Sequence, residues 1–127
     1  MNVVDSSAWL EYFADGANAR HFAQAVEDRV SLLVPSIVVY EVFKRLFLTS
    51  GENKALLAAA QMKQGRVIRI DEDLAIQAAL LSCRYKLPMA DSLILACARQ
   101  ENATVWTQDE HFLDIPGVRF FPTREKP

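Results

Sequence analysis

The chain has 127 residues, enough for one domain over residues 1–127, and its 51% hydrophobic and 24% charged residues exclude a mainly disordered protein. No apolar run reaches the ~20 residues of a membrane span, and the N-terminus lacks a signal-peptide pattern, so we expect a cytoplasmic protein without a membrane partner. The net charge is −2 and becomes +2 when four candidate metal-ligating acids are left out, so it neither favours nor excludes an RNA partner.

Short apolar runs and helical patterns alternate along the whole chain. Apolar residues at helical spacing, opened by capping residues or proline and often closed by glycine, indicate helices between the short strand-like runs. In chain order, the predicted elements are a strand at 3–4, helices over 5–15 and 17–28, a strand at 31–34, helices over 35–50 and 52–64, a strand at 67–70, helices over 71–85 and 89–100, a strand at 104–107 and an edge strand at 119–121.

This alternation predicts an α/β fold, a three-layer α/β/α sandwich around a short and mostly parallel sheet. In such sheets ligands bind beyond the carboxyl ends of the strands. Asp5 directly follows the first predicted strand, and Asp109 follows the fourth by two residues. Both acids are therefore expected at the edge of the sheet where a site forms.

Two other acids lie in apolar surroundings. Glu41 stands within the apolar stretch 37–43, where an ionised carboxylate is costly unless a cation or a donor compensates it. Asp91 is the only charged residue between Lys86 and Arg99. These positions predict that Glu41 and Asp91 join the same site.

Each of the four acids has a simpler structural explanation. Asp5 and Asp91 could cap their own helices, and Asp109 could be a turn residue before a short helix. Glu41 could pair with one of the basic residues three and four positions later, Lys44 or Arg45. Four separate explanations at one end of one sheet are less economical than one shared metal site.

The chemistry of such a site favours Mg²⁺, with Mn²⁺ as a second possibility, because both ions prefer carboxylate oxygens. A carboxylate-held ion polarises a phosphodiester and lowers the pKa of a bound water. Asp5 and Asp91 are expected to be the primary ligands. Glu41 would ligate an ion or orient the attacking water, and Asp109 would complete a second or weaker site.

Histidine and cysteine contribute little to this interpretation. His111 could serve as an acid–base group, but the sequence favours a residue that starts a helix or packs. Cys83 and Cys97 lie in apolar helical patterns without a second cysteine nearby, so both are expected to be buried thiols and no structural zinc site is indicated.

The sequence resembles PIN-domain proteins, and specifically the VapC-type toxin of VapBC toxin–antitoxin pairs. The matching segments occur in the family's order and are VVDSS at 3–7, YEV at 40–42, MADSLILA at 89–96 and TQDEHF at 107–112. The resemblance implies a PIN-like fold and a magnesium-dependent endoribonuclease with Asp5, Glu41, Asp91 and Asp109 as its acidic quartet. It also implies supporting roles for Ser6 and Thr107, a homodimer, and a cognate antitoxin whose C-terminal segment enters the groove at the site.

Two other functions are compatible with the residues themselves. In a metal-dependent phosphatase or phosphoacceptor domain the acid after the first strand would be a nucleophile, but such a domain normally has a further acid where Ser7 stands. A metal-holding module that binds RNA or a partner without cleavage is the non-enzymatic alternative. Ligand residues alone do not distinguish binding from turnover.

Overall fold

The computed structural model describes residues 1–126. The strands are β1 Asn2–Val4, β2 Leu32–Pro35, β3 Arg66–Ile68, β4 Thr104–Thr107 and β5 Val118–Phe120. The helices are α1 Ser6–Phe13, α2 Ala19–Val26, α3 Ser36–Ser50, α4 Glu52–Met62, α5 Glu72–Tyr85 and α6 Met89–Gln100. Short 3₁₀ turns cover Arg29–Ser31 and Glu110–Phe112.

The five strands form one parallel sheet in the order β3-β2-β1-β4-β5. The central strand β1 pairs with β2 on one side and with β4 on the other, where Val4 lies opposite Trp106. The chain first builds outward from β1 through β2 to β3 and then crosses back to β4, so the strand order reverses between β1 and β4. Such a reversal opens a crevice at the carboxyl ends of the two strands.

Helices flank the sheet, which confirms the predicted α/β sandwich. All four residues of β2 are buried, although successive side chains point to opposite faces of a sheet, so both faces are covered. Helix α6 contacts β1 and β4, α3 contacts β2, and α2 contacts β1. None of the helices among residues 1–126 is long and apolar enough to cross a membrane.

Several element limits and one side chain differ from the sequence-based expectation. The third strand was expected at 67–70 but ends at Ile68, and Arg66 and Val67 are exposed because this strand lies at the edge of the sheet. Helix α2 is shorter than the predicted 17–28. Cys97 is buried as expected, but Cys83 is exposed in an open pocket between α5 and α6, so the prediction for Cys83 was wrong.

The C-terminal segment is tied to the beginning of α2 by Asn18, whose side chain is almost fully buried. Its Nδ2 donates to Gln108 Oε1 at 3.1 Å and to the Pro122 carbonyl at 2.9 Å, and its Oδ1 accepts from Arg124 Nε at 3.2 Å. One amide side chain thus satisfies groups on both the segment after β4 and the segment after β5.

Replacing Asn18 with alanine should lower the free energy of unfolding by about 2–3 kcal/mol, because buried polar partners lose their hydrogen bonds. Urea unfolding followed by circular dichroism measures this difference. Asn53→Ala, at an exposed position of α4, is the matched control and should change stability by less than about 0.5 kcal/mol. Equal stability of the two variants would show that the Asn18 contacts do not hold the C-terminal segment.

Candidate metal centre

Asp5 lies at the end of β1 and is 1% exposed. Its backbone N–H continues the pairing with β4 by donating to the Trp106 carbonyl at 2.9 Å. Its side chain makes no capping hydrogen bond to α1. Instead, Oδ2 accepts from the hydroxyls of Ser7 and Thr107, each at 2.8 Å. The side chain of Asp5 therefore does not cap α1, which was its simpler structural explanation.

The Thr107 hydroxyl connects two of the acids. It donates to Asp5 and accepts from the backbone N–H of Asp109 at 2.9 Å. Because Thr107 ends β4, this single hydroxyl fixes the loop after β4 relative to the end of β1. The backbone N–H of Gln108 also donates to Ser7 Oγ at 3.3 Å, which strengthens the same connection.

Asp91 lies in the first turn of α6, and its side chain is 11% exposed. Its Oδ2 is 2.9 Å from Nδ1 of His111. Burial and the charges of Asp5 and Asp109 raise the pKa of Asp91 to about 6, although His111 acts in the opposite direction. The carboxyl group of Asp91 is thus poised to lose its proton near neutral pH.

Asp109 and His111 belong to the 3₁₀ turn that follows β4. Asp109 Oδ1 accepts from the His111 backbone N–H at 2.9 Å, so this acid does cap the short turn, as its simpler explanation predicted. The same oxygen is 3.3 Å from Nδ1 of the His111 ring. The hydrogen bond with Asp91 and the charge of Asp109 raise the pKa of His111.

Glu41 reaches the site from α3. Burial raises its pKa, and the charges of Asp5 and Asp109 act in the same direction, whereas a hydrogen bond from Ser6 lowers it. Its Oε1 is buried and has no hydrogen-bond partner within residues 1–126. Over the same range, no ion pair joins Glu41 to the basic residues that follow it on α3.

The charges of Asp5 and Asp109 act on both Glu41 and Asp91, so the four acids lie near one another at the carboxyl edge of the sheet. The pKa of Asp5 is raised first by burial and further by the charge of Asp109, although its two hydroxyl donors lower it. Buried carboxylates that repel one another call for a compensating charge. The buried Glu41 oxygen without a partner and the oxygen-rich set of side chains fit a divalent cation of the Mg²⁺ or Mn²⁺ type.

Two residues at this centre were missed from the sequence. Ser7 belongs to the VVDSS motif, but no role at the site was predicted for it; its hydroxyl donates to Asp5 and not to its own helix. His111 was expected to start a helix or pack, but its ring faces the carboxylates of Asp91 and Asp109. The spacing of His111 two residues after Asp109 was the available signal, and it was outweighed by the apolar residue that follows.

Comparisons with known proteins identify the family and the fold. The sequence profile of the PIN domain family matches residues 3–118. The chain therefore belongs to the PIN domain family, as its motifs predicted, and this membership supports a nuclease as the class of enzyme. The comparison with curated proteins found no match.

Solved structures of toxin–antitoxin proteins share the fold over nearly the whole chain. A toxin–antitoxin complex from Klebsiella pneumoniae superposes with a TM-score of 0.81 at 22% identity, covering 97% of this chain and 100% of that one. VapC20 from Mycobacterium tuberculosis, described as a toxin that cleaves the sarcin–ricin loop, gives 0.77 at 23% identity, with coverages of 93% and 97%. FitAcB from Neisseria gonorrhoeae gives 0.72 at 24% identity, with coverages of 96% and 98%.

The raised pKa of Asp91 leads to a prediction about stability without metal. A carboxyl whose pKa rises on folding makes the folded state less stable as pH increases from about 4 to above 6, because its ionised form is penalised in the folded state. Asp91→Asn should therefore stabilise the metal-free protein relative to its parent. This gain in the free energy of unfolding should be about 1–2 kcal/mol larger at pH 7.5 than at pH 4.

Urea unfolding of both proteins at the two pH values, with metal removed, measures how the stability gain of Asp91→Asn over the parent changes with pH. Asp73→Asn, at an exposed position of α5, controls for the loss of one negative charge. A stability gain from Asp91→Asn that is the same at both pH values would contradict the proposed electrostatic cost.

Proposed function

We propose that the protein is a metal-dependent endoribonuclease, with Mg²⁺ or Mn²⁺ as cofactor, and the toxin component of a type II toxin–antitoxin module. The observation that carries the proposal is the set of mutually repelling acids, Asp5, Glu41, Asp91 and Asp109, one of which has a buried oxygen without a partner. Membership of the PIN domain family supports it. We also propose that residues 1–127 act as one PIN-like domain.

In this proposal Asp5, Asp91 and Asp109 hold the cation, and Glu41 either ligates it or orients the attacking water. When bound, a divalent ion supplies charge stabilisation for a phosphodiester and a more acidic water. The hydroxyls of Ser7 and Thr107 favour the ionised form of Asp5 against the larger effect of burial, and they fix its Oδ2. The other oxygen of Asp5 accepts only a long hydrogen bond of 3.5 Å from the Ser6 hydroxyl, so it can turn to a ligand.

Glu41 can act on a water because its buried Oε1 has no hydrogen-bond partner within residues 1–126. Burial favours its protonated form, so Glu41 holds a proton more readily than an exposed glutamate does. An ionised Glu41 beside a bound cation can therefore take the proton of the attacking water as the phosphodiester bond is cleaved. The leaving oxygen gains its proton from solvent at the open side of the site.

Asp91→Asn should lower RNA cleavage by about a hundredfold or more, because a ligand that helps to stabilise the transition-state charge is lost. Cleavage of a fluorescently labelled RNA is measured with Mg²⁺, with Mn²⁺ and with a chelator, and the chelator should abolish it. Glu110→Gln is the matched control, since Glu110 is an exposed acid next to Asp109, and should leave the rate near that of the parent.

Cleavage by Asp91→Asn at the parent's rate would refute the nuclease site. Binding of RNA without cleavage by the parent, even at high Mn²⁺ concentration, would instead indicate a metal-holding binding module. A phosphoryl group trapped on Asp5 would indicate the phosphoacceptor alternative.

An apolar groove supports the proposed antitoxin partner. It has a volume of about 580 Å³ and lies between α1, α3 and α4. Its walls are apolar at Phe13, Leu46 and Leu57, while Arg45 and Lys54 add positive charge. We propose that a helical segment of the antitoxin with apolar and acidic residues occupies this groove, as in helix-in-groove recognition. The relatives from Klebsiella pneumoniae and Salmonella typhimurium were solved as toxin–antitoxin or VapBC assemblies.

Leu57→Glu should weaken binding of the antitoxin by about tenfold or more, because it places a charge in the apolar groove. The measurement is calorimetry with the protein encoded by the adjacent open reading frame. Leu56→Glu alters an exposed residue of the same helix that does not line the groove, and should bind almost as tightly as the parent. Equal losses in both variants would place the partner elsewhere.

The homodimer and the cytoplasmic location stay predictions.

A further inference from the structure

His111 is the residue at the candidate metal centre that the acidic quartet does not account for. Its Nδ1 lies 2.9 Å from Asp91 Oδ2 and 3.3 Å from Asp109 Oδ1. One donor atom from each of these three residues falls within 4.8 Å of the other two. The ring nitrogen therefore faces two carboxylates that are themselves candidate ligands.

These separations match those between neighbouring ligands of one ion. An octahedral ion with bonds of about 2.0–2.1 Å has adjacent ligand atoms about 3 Å apart and opposite ones about 4.2 Å apart. The distances of 2.9 and 3.3 Å are close to the adjacent value, and the third separation is below 4.8 Å. The ring nitrogen is therefore placed relative to both carboxylates as a neighbouring ligand of one ion would be.

The backbone holds His111 in this position. Its own N–H donates to Asp109 Oδ1 at 2.9 Å, and the next residue, Phe112, is fully buried in the core. The Phe112 N–H donates to the Asp109 carbonyl at 3.1 Å, which closes the 3₁₀ turn. The imidazole is thus attached to a rigid turn, as a pre-organised ligand requires.

We propose that His111 ligates, through Nδ1, the same ion as Asp91 and Asp109, and that this nitrogen shifts the preference of the site from Mg²⁺ toward Mn²⁺. The inference rests on the proposed metal-dependent function and adds a ligand to it. Imidazole nitrogen suits first-row transition metals, whereas Mg²⁺ prefers oxygen ligands alone. Mn²⁺ accepts both kinds of donor, so a mixed set discriminates against Mg²⁺.

A spectroscopic test exploits the fact that the chain contains two histidines. Mn²⁺ is bound to the full chain after removal of any histidine tag, and electron spin echo envelope modulation detects a directly coordinated ¹⁴N. The parent should show this nitrogen coupling, and His111→Gln should lose it. His21→Gln is the matched control, because His21 stacks on Phe121, and its coupling should equal that of the parent.

Calorimetry with Mn²⁺ and with Mg²⁺ gives a second readout that does not depend on cleavage. In His111→Gln the ratio of Mn²⁺ to Mg²⁺ affinity should fall about tenfold, because Mn²⁺ loses its nitrogen ligand. His111→Asp should also lose the nitrogen coupling but raise the Mg²⁺ affinity above that of the parent, because it supplies an oxygen ligand on the same turn.

The outcomes separate this inference from the function on which it rests. Mn²⁺ that binds to the parent, is lost in Asp91→Asn and shows no nitrogen coupling would overturn the role of His111 while leaving the metal site in place. Mn²⁺ binding that does not depend on Asp91 would overturn the proposed site and the histidine ligand together. An unchanged affinity ratio in His111→Gln would refute the shift in metal preference.

Discussion

The buried carboxylate of Asp5 is the constraint from which the arrangement of the site follows. Its backbone extends the pairing of β1 with β4, so its side chain lies where the strand order reverses. A carboxylate at such a depth requires hydrogen-bond donors, and Ser7 and Thr107 provide them. Because the Thr107 hydroxyl also accepts from the Asp109 N–H, the group that stabilises Asp5 also positions Asp109.

The exposed fraction of the side chains increases stepwise across the site. Asp5 is 1% exposed, the side chain of Asp91 11%, that of Asp109 30% and that of His111 58%. The deepest acid is therefore fixed by strands and hydroxyls, and the outermost groups belong to a short turn. Asp109 and His111 therefore form the most exposed side of the site, where solvent already reaches the carboxylates.

The same arrangement explains why the metal-free site works against folding. Burial raises the pKa of Asp5, Glu41 and Asp91, so each of these groups resists ionisation in the folded state. A bound divalent ion removes that penalty and adds its binding free energy to the stability of the fold. The proposed metal-dependent function and metal-free stability therefore oppose each other at these residues, as function and stability do at many active sites.

Sequence patterns were sufficient to predict the order of the strands and helices and to propose four acids for one site, because strand ends and apolar surroundings are local properties. Asp5 and Asp109 were found from strand ends, and Glu41 and Asp91 from their apolar neighbours. The orientation of His111 was not predictable in this way. It depends on a 3₁₀ turn that brings its ring to Asp91, 20 residues earlier in the chain and on a different element. The edge position of β3 was not predictable either, since the order in which strands pair depends on tertiary packing and not on the local sequence pattern.

Helix α3 links the proposed metal site to the proposed antitoxin groove. Glu41 and Arg45 are four residues apart, so they lie on neighbouring turns of one helix face, separated by about 6 Å along its axis. Arg45 lines the groove, while Glu41 faces the acids. A segment bound in the groove would therefore lie about one helical turn from Glu41. In the proposed assembly such a segment would cover the site directly, and no conformational change would have to pass between two distant places.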